Sequence, residues 1–341
     1  MDNSTSTPSR TSKSPDSFLS SYDRASYAPL RETLYGIAFH WTTWTVDRDG
    51  KTQPFEQMVE AFDVGAFVAQ AVDDGAGHVM ITVTHAQHHL PCPSDEVDRI
   101  LPGRTCKRDL LMEIADGLAE AGIKLTLYYN HGTSKPLSSP DAPQDPEWQH
   151  AVGSFEMGDR NRYYDNYCRV LGELGERYGR KVIALWLDSA NEHARYASTP
   201  WSRFTAAAKA GHPDRLVTYN SGVLNFELHT PYQDYWAGEI NGLVRAARGG
   251  PFTPNGLPWY SLCTWHGYDR YCQVGEWGLS EKSVRLTWPA PQAQSVVRFV
   301  RGFEEHGGAV TFNLLCYADG SALESDLAVL KEARKELRPG Q

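Results

Sequence analysis

The amino-acid sequence predicts an α/β fold in which a single domain forms a (β/α)8 TIM barrel. Short apolar runs alternate with segments of helical periodicity from residue 34 to residue 337, and this alternation is typical of a parallel sheet. About eight strand–helix units fit into roughly 300 residues, which favours a closed barrel over an open sheet. Polar side chains also follow the apolar runs, as expected where a barrel gathers the carboxyl ends of its strands around one mouth.

Eight segments carry the predicted strands, each a short run rich in aliphatic, β-branched or aromatic residues. They are residues 35–40, 78–84, 124–129, 182–187, 216–220, 234–239, 260–265 and 308–313. Segments with apolar residues at helical spacing lie between them, and the clearest are residues 62–74, 108–121, 163–178, 295–304 and 323–337. Gly75 and Gly122 follow the first two of these helices, where glycine commonly ends a helix.

Composition narrows the function classes. The chain has 341 residues, of which 41% are hydrophobic, and a formal net charge of -9. That charge argues against a nucleic-acid or anionic-membrane partner, since both require clustered positive charge. No apolar run approaches the ~18–20 residues of a membrane span.

The amino-terminal segment differs from the rest. Residues 1–30 are rich in Ser, Thr, Pro and Asp, so we predict a disordered tail there and the (β/α)8 barrel at residues 31–341. The tail has no apolar core of a secretory signal, and the six cysteines show no C-x-x-C spacing. We therefore expect a cytoplasmic protein with reduced thiols, with neither a disulfide framework nor a zinc site.

Polar residues end several predicted strands, and a barrel would bring them together although they are distant in sequence. These residues are His40, His85, Asn130, Asp188, Asn220 and Asn313. Asp188 stands out because it directly follows the apolar run 182–187. The alternative interpretation is that Asp188 caps the amino terminus of the next helix, a position that Asp favours.

Metal and nucleotide cofactors have little support. His85, His88 and His89 form an H-x-x-H-H pattern, but it lies in a loop flanked by prolines, where the ring nitrogens need not converge, and no carboxylate is placed as a further ligand. No G-x-G-x-x-G pattern follows a strand. We expect no metal and no cofactor.

Several motifs, in order and at consistent spacing, resemble those of the α-L-fucosidases of glycoside hydrolase family 29. The segment at 36–41 is similar to G-I-F-x-H-W, that at 82–85 to T-x-K-H-H, and that at 122–129 to G-L-K-x-G-x-Y-Y. Arg108-Asp109 matches an R-D pair, the segment at 185–188 resembles W-F-D, and that at 307–313 resembles G-G-N-L-L-L-N and precedes a D-G turn at 319–320. The resemblance covers residues 34 to about 337 and implies a barrel that hydrolyses glycosides.

The resemblance implies catalytic roles for two carboxyl groups, which a retaining glycosidase holds about 5–5.5 Å apart. Asp188 is the nucleophile by motif. For the acid/base we favour Glu239, in a segment similar to D-x-x-T-P-E, with neighbouring Trp236 supplying the apolar surface that keeps an acid protonated. A surface salt bridge is the other interpretation of Glu239, and the alternative acids are Glu276, Glu192 and Glu227.

Sugar recognition would fall to side chains near the same mouth, because imidazoles bond hydroxyls and aromatic faces pack on sugars. The candidates are His40, Trp41, His85, His88, Tyr129, Trp186, Asn220 and Trp236. The chain departs from the family pattern elsewhere. The second histidine of the H-H pair is Ala86, Thr42 stands in place of a glycine, Glu56 is the nearest counterpart of a sugar-binding glutamate, and Tyr260 replaces another glutamate. These departures predict an altered sugar specificity.

Three functions follow as hypotheses. The first is a retaining exo-glycosidase that acts on an α-L-fucoside or a related glycoside by double displacement. The second is a barrel that binds a small carbohydrate but has lost catalysis, and a second carboxylate opposite Asp188 would separate these two. The third is a metal-dependent hydrolase that uses the histidines at 85–89. A homodimer that covers the barrel wall is a further hypothesis.

Overall fold

A computed structural model describes residues 21–132, 145–154, 160–244, 247–266, 276–285, 287 and 289–340. The strands are β1 Tyr35–Phe39, β2 His78–Thr84, β3 Lys124–Tyr129, β4 Val182–Leu187, β5 Leu216–Tyr219, β6 Glu239–Asn241, β7 Tyr260–Thr264 and β8 Ala309–Leu314. The helices are α1 Ala28–Arg31, α2 Phe55–Ala61, α3 Val64–Asp73, α4 Asp95–Ile100, α5 Leu110–Glu120, α6 Pro146–Val152, α7 Asn161–Tyr178, α8 Ala190–Ala194, α9 Trp201–Ala208, α10 Ala293–Glu304 and α11 Glu324–Leu337.

The eight strands form one parallel sheet in the order β5-β4-β3-β2-β1-β8-β7-β6. The segment that leads into β6 bonds to β5, at the other end of this order. The Asp234 amide donates to the Val217 carbonyl at 2.8 Å, and the Thr218 hydroxyl donates to the Tyr235 carbonyl at 2.6 Å. The prediction of eight parallel strands is confirmed, and their order is consistent with a (β/α)8 barrel.

The sixth strand differs from its prediction. We expected it at residues 234–239, but β6 begins at Glu239. The segment before it bonds to two different strands, since the Asp234 amide reaches Val217 and the Trp236 amide reaches the carbonyl of Pro258, just before β7. Gly238 then takes a φ of +64°, which an extended strand does not contain. The apolar pattern at 234–237 therefore reflects burial rather than strand geometry.

Buried side chains form two layers because successive strand residues point to opposite faces. The inner layer contains Ala38, Met80, Tyr128, Ala184, Trp186, Leu216, Leu262 and Ala309. The outer layer joins the opposite strand faces to the helices, and it includes Tyr129 and Leu187 with helix residues such as Leu118 and Val170. Asp188 and Glu239 each lie one residue from an outer-layer neighbour, so both side chains point toward the inside of the sheet.

Residues 21–30 pack against the sheet, although we predicted a tail through residue 30. Arg24 donates to the carbonyl of Gln233 at 2.9 Å, and the Tyr27 hydroxyl donates to the carbonyl of Trp259 at 2.8 Å. The packed chain therefore begins before residue 31, while residues 1–20 of the predicted tail lie outside the described residues.

Within the described part of the chain, no helix is long and apolar enough to cross a bilayer.

The cysteines in the described part of the chain are free thiols, namely Cys92, Cys106, Cys168, Cys263 and Cys316. Cys272 lies outside that part. The cytoplasmic location and the homodimer stay predictions.

Candidate active site

Asp188 directly follows β4, and three side chains hold its carboxylate. The Tyr128 hydroxyl and the Asn130 amide donate to Oδ2 at 2.5 and 3.0 Å, and the Asn220 amide donates to Oδ1 at 2.8 Å. The interpretation of Asp188 as a helix cap is wrong. Ser189 occupies the N-cap position of α8, with a φ of 59°, and no side chain caps that helix.

Glu239 lies beside Asp188 at the start of β6. Its Oε2 accepts a hydrogen bond of 2.7 Å from Nδ2 of Asn220, the same nitrogen that donates to Asp188 Oδ1 at 2.8 Å. The two carboxylate oxygens are therefore no more than about 5.5 Å apart, the sum of these two bond lengths. Glu239 is half-buried and forms no ion pair with a described Lys or Arg, so a surface salt bridge does not account for it.

Gly238 fixes where Glu239 begins. A Cβ at this position would lie 2.1 Å from the carbonyl oxygen of Tyr260, and the φ of +64° is one that residues with side chains rarely adopt. The Leu262 amide also donates to the Gly238 carbonyl at 2.9 Å. The backbone just before Glu239 therefore packs directly against β7, a contact that only glycine allows.

The two carboxyl groups have opposite pKa shifts. Burial, together with the charge of Asp188, raises the pKa of Glu239 to about 7, although the hydrogen bond from Asn220 opposes this. Burial alone would also raise the pKa of Asp188, but hydrogen bonds from Tyr128 and Asn220 and the nearby His85 ring lower it below its ordinary value. Neighbouring acids with separated pKa values can act as a proton donor and an ionised nucleophile at the same pH.

Aromatic rings and imidazoles surround the Tyr128 side of this pair. The ring of His85 stacks on Tyr128 with centroids 5.7 Å apart, and His40 lies 4.6 Å from Tyr128. Trp277 and Trp44 complete the group, at 4.8 Å from His40 and 5.2 Å from His85. A half-exposed indole beside imidazole nitrogens is suited to the mixed apolar and hydroxyl surface of a sugar.

The two histidines both have lowered pKa values, which favours neutral imidazoles at neutral pH, and they differ in their bonds. Burial lowers the pKa of His40 to about 3, and burial lowers the pKa of His85 although Asp188 opposes the shift. His40 Nδ1 bonds to the Asn313 side-chain oxygen at 2.9 Å, which leaves Nε2 as an acceptor. His85 Nδ1 is buried and has no hydrogen-bond partner among the described residues. A buried polar atom without a partner is rare, and a ligand hydroxyl would satisfy it.

Four predicted sugar-binding residues do not belong to the group of rings around Tyr128 and Asp188. Trp41, His88, Tyr129 and Trp236 are all at least 96% buried. His88 bonds to the Tyr129 hydroxyl at 2.9 Å and stacks on Trp148, while Trp41 packs on Phe55 and Phe62. Trp236 stacks on Phe226 rather than lining the surroundings of Glu239. These side chains belong to the outer packing, and our assignment of them to the sugar site is corrected.

Trp186 lies in the inner layer below the site. It stacks on Tyr128 with centroids 5.2 Å apart and donates to the Ala237 carbonyl at 2.9 Å. Only 1% of its surface is exposed. Trp186 therefore supports Tyr128 from beneath and does not reach a ligand.

The alternative acids Glu192 and Glu227 have other partners. Glu192 pairs with Arg195, and Glu227 lies 3.7 Å from His229. The backbone amide of Glu276 donates to the His266 carbonyl at 2.9 Å. The histidines of the proposed metal cluster diverge, since His88 bonds to Tyr129 and His89 to Arg104. Among the described residues, no group of three or more His, Cys, Asp or Glu side chains is arranged to hold a metal ion.

Sequence reasoning missed Tyr128, Trp44 and Trp277, and it named Asn130 only as a residue that ends a strand. Tyr128 is paired in register with Trp186, so a correct alignment of β3 with β4 would have placed both on the inner face. Trp44 lies three residues after Trp41 in a loop, and no local pattern distinguishes the two indoles.

The family model for alpha-L-fucosidase matches residues 21–236, more than half of the chain. This span includes Tyr128, Asp188 and Asn220 and ends three residues before Glu239. No curated protein sequence matches the chain significantly.

Solved structures of similar fold include two kinds of glycoside hydrolase. An alpha-L-fucosidase of family 29 from Bacteroides thetaiotaomicron has a TM-score of 0.62 at 15% identity, covering 92% of this chain and 74% of its own. Alpha-L-fucosidase isoenzyme 1 from Paenibacillus thiaminolyticus has a TM-score of 0.62 at 19% identity, with coverage of 91% and 76%. An endo-fucoidan hydrolase of family 107 has a TM-score of 0.66 at 15% identity. The match covers 91% of this chain and 54% of that hydrolase, so this chain spans about half its length. At these identities the likeness concerns the fold.

Proposed function

Because this chain belongs to the alpha-L-fucosidase family, we propose that it is a retaining exo-glycosidase that hydrolyses an α-L-fucoside or a related glycoside by double displacement. Asp188 acts as the nucleophile and Glu239 as the acid/base. The substrate class is proposed from the family and from the neighbours of similar fold, whose names refer to fucosides and fucoidan.

One observation carries the proposal, which is the closeness of two carboxyl groups with opposite pKa shifts. Their oxygens share one donor nitrogen and lie no more than about 5.5 Å apart. Retaining enzymes hold the two groups about 5–5.5 Å apart, whereas inverting enzymes need about 6.5–9.5 Å to admit a water between them. The separation supports retention, and the presence of Glu239 favours hydrolysis over a barrel that only binds sugar.

The first chemical step joins the sugar to Asp188. The ionised carboxylate of Asp188 attacks the anomeric carbon, and the bond from that carbon to the leaving oxygen breaks. The electron pair of that bond goes to the leaving oxygen, which takes the proton of Glu239. A pKa near 7 keeps much of Glu239 protonated at neutral pH, while Asp188 is ionised.

The second step returns the enzyme to its starting state. Glu239, now a carboxylate, takes a proton from a water molecule as the water oxygen attacks the anomeric carbon. The bond between that carbon and Asp188 breaks, and the carboxylate is released. Two inversions at one carbon give a sugar of the original anomeric configuration.

The stereochemistry of hydrolysis tests this proposal directly. We would incubate the protein with 4-nitrophenyl α-L-fucoside and with a panel of other aryl glycosides, and follow the first sugar product by proton NMR before it mutarotates. The expected first product from the fucoside is the α anomer. A first product of β configuration would refute retention, and binding of sugars without turnover of any member would favour the alternative of a binding protein.

Covalent trapping tests the nucleophile. A 2-deoxy-2-fluoro glycosyl fluoride should label the protein once, and peptide mass spectrometry should place the label on Asp188. For Glu239→Ala, added azide should restore turnover of the aryl glycoside, because azide attacks the glycosyl-enzyme without needing a base. A label on another carboxylate would overturn the assignment of Asp188, and absence of azide rescue would count against Glu239.

A further inference from the structure

We propose that Asn220 is a positioning residue for both carboxyl groups together, which fixes their separation and stabilises the single negative charge wherever it resides. This inference rests on the proposed function. It also replaces the role that the sequence predicted for Asn220, which was contact with the sugar.

The hydrogen bonds of Asn220 leave little capacity for a ligand. Its side-chain nitrogen has two protons, and it donates to Asp188 at 2.8 Å and to Glu239 at 2.7 Å. Its side-chain oxygen accepts from the Gly222 amide at 3.1 Å, which fixes which atom of the amide faces the carboxylates. Both N–H groups of the side chain are therefore used within the protein, and Asn220 as a whole is 96% buried.

The backbone of Asn220 is fixed to the segment that carries Asp188. The Asn220 amide donates to the Leu187 carbonyl at 2.8 Å, and the Asn220 carbonyl accepts from the Ala190 amide at 2.8 Å. These two bonds reach the residues on either side of the Asp188–Ser189 turn. The backbone of Asn220 is therefore fixed relative to the segment that carries Asp188.

The charge moves between the two acids during the reaction, while its total stays at one. Before the first step, Asp188 is charged and Glu239 carries the proton. After it, Asp188 is an ester and Glu239 is the carboxylate. Because Asn220 donates to both, one of its N–H groups always meets the charged acid, and no side chain has to rotate between the steps. A pre-oriented donor of this kind stabilises charge without reorganisation.

Asn130 provides a matched comparison on the opposite side of Asp188. It donates to Asp188 Oδ2 at 3.0 Å and to the Ser189 hydroxyl at 3.2 Å, and it forms no hydrogen bond with Glu239. Loss of Asn130 should therefore affect one acid, and loss of Asn220 should affect both. The titratable groups that face the pair are His40, His85, Tyr128 and His131, and they are unchanged in both variants.

The experiment is a titration of the two carboxyl groups, which needs no turnover. Protein labelled with carbon-13 in the side-chain carboxyl groups of Asp and Glu would be titrated by NMR, and spectra of Asp188→Asn and Glu239→Gln would assign the two signals. In Asn220→Ala, the pKa values of Asp188 and Glu239 should both rise, each by about one unit, because each carboxylate loses a donor. In Asn130→Ala, only the pKa of Asp188 should rise.

The outcomes separate this inference from the proposed function. Two unmoved titrations in Asn220→Ala, or a rise at Asp188 alone, would overturn the role of Asn220 whether or not the protein is a hydrolase. Failure of every variant and of the wild type to hydrolyse any glycoside would refute the proposed function. If Asn220→Ala does not fold, Asn220→Ser offers at most one donor, so at least one of the two pKa values must still rise.

Kinetics supply a second readout. For an active wild type, Asn220→Ala should shift both limbs of the pH dependence of kcat/KM to higher pH, whereas Asn130→Ala should shift the acidic limb alone. A purely structural effect would lower the rate and leave both limbs in place. That result would contradict the inference.

Discussion

The hydroxyl of Tyr128 donates a hydrogen bond of 2.5 Å to the carboxylate of Asp188. The ring of Trp186 stacks on the ring of Tyr128, and both rings belong to the inner layer. Burial raises the pKa of the Tyr128 hydroxyl well above its ordinary value, so the hydroxyl keeps its proton and remains a donor at neutral pH. Tyr128 therefore keeps Asp188 ionised and oriented.

Replacement of Tyr128 by Phe should remove this donor and leave the ring stacking. We expect kcat/KM to fall by roughly 10- to 100-fold, as for loss of a hydrogen bond to a charged group. The acidic limb of the pH profile should also move to higher pH, because Asp188 is then harder to ionise. The matched control is Tyr129→Phe, which loses a hydroxyl that bonds to His88 and not to Asp188 among the described residues. A control that shifts the acidic limb equally would contradict the assignment of Tyr128.

The rate should decline in alkali as Glu239 loses its proton. Since the pKa of Glu239 is raised to about 7 and the acid form is required for the first step, kcat/KM should decrease as the pH rises through about 7. Glu239→Gln should abolish this limb and reduce kcat/KM for a substrate with a poor leaving group by roughly 10²- to 10⁴-fold. The control is Glu227→Gln, at a side chain that is 68% exposed, and we expect it to keep the alkaline limb. If Glu227→Gln lost the alkaline limb while Glu239→Gln kept it, Glu239 would not be the acid/base.

The comparison of Tyr128 with Tyr129 shows which part of the site was readable from sequence. The apolar runs and the residues that follow them identified seven of the eight strands closely, all but β6, and this was enough to group Asp188, Asn220, His40 and His85. The strands, however, are buried on both faces, as in β2, where all seven residues are buried. Such runs do not alternate, so they do not reveal which residues point inward. The choice of Tyr129 over Tyr128 was wrong for this reason.

Other features of the site depend on contacts between residues that are far apart in the sequence. Trp277 reaches His40 from the chain that follows β7, and the segment before β6 takes its irregular path from bonds to Val217 and Pro258. Trp236 was expected beside Glu239 because the two are close in sequence. Its ring instead stacks on Phe226, which is ten residues away. Neighbours along the chain are poor guides to neighbours around a barrel mouth.

His85 and His88 should respond oppositely to replacement by Phe. His85 Nδ1 has no hydrogen-bond partner in the described part of the chain, so His85→Phe should leave stability nearly unchanged and reduce kcat/KM by roughly 10- to 100-fold through a lost bond to substrate. His88 bonds to Tyr129 at 2.9 Å, so His88→Phe should lower the free energy of unfolding by roughly 1–3 kcal/mol with little change in KM. Urea unfolding and steady-state kinetics on both variants check this pair. A large stability loss in His85→Phe, with activity retained, would remove His85 from the sugar site.

Asp74 should be a source of instability at neutral pH. It follows α3, its side chain is fully buried, and neither carboxylate oxygen has a hydrogen-bond partner among the described residues. Burial raises its pKa to about 8, an effect that Lys331 and Arg334 oppose and that Asp73 and Asp326 increase. In the unfolded chain the group ionises near its ordinary pKa. The contribution of protonated Asp74 to the free energy of unfolding is therefore fully present in acid. It is lost as the pH rises toward about 8.

Replacement of Asp74 by Asn should stabilise the protein because the amide cannot ionise. We expect the free energy of unfolding at pH 7 to rise by on the order of 2–4 kcal/mol, and the gain to shrink toward zero near pH 4. Urea unfolding at several pH values measures this difference. The control is Asp73→Asn, at a side chain that is 61% exposed and paired with Lys331 at 3.1 Å. A change of less than about 1 kcal/mol is expected there, because exposed ion pairs contribute little. An Asp74→Asn gain that is the same at every pH would mean that packing, rather than ionisation, is responsible.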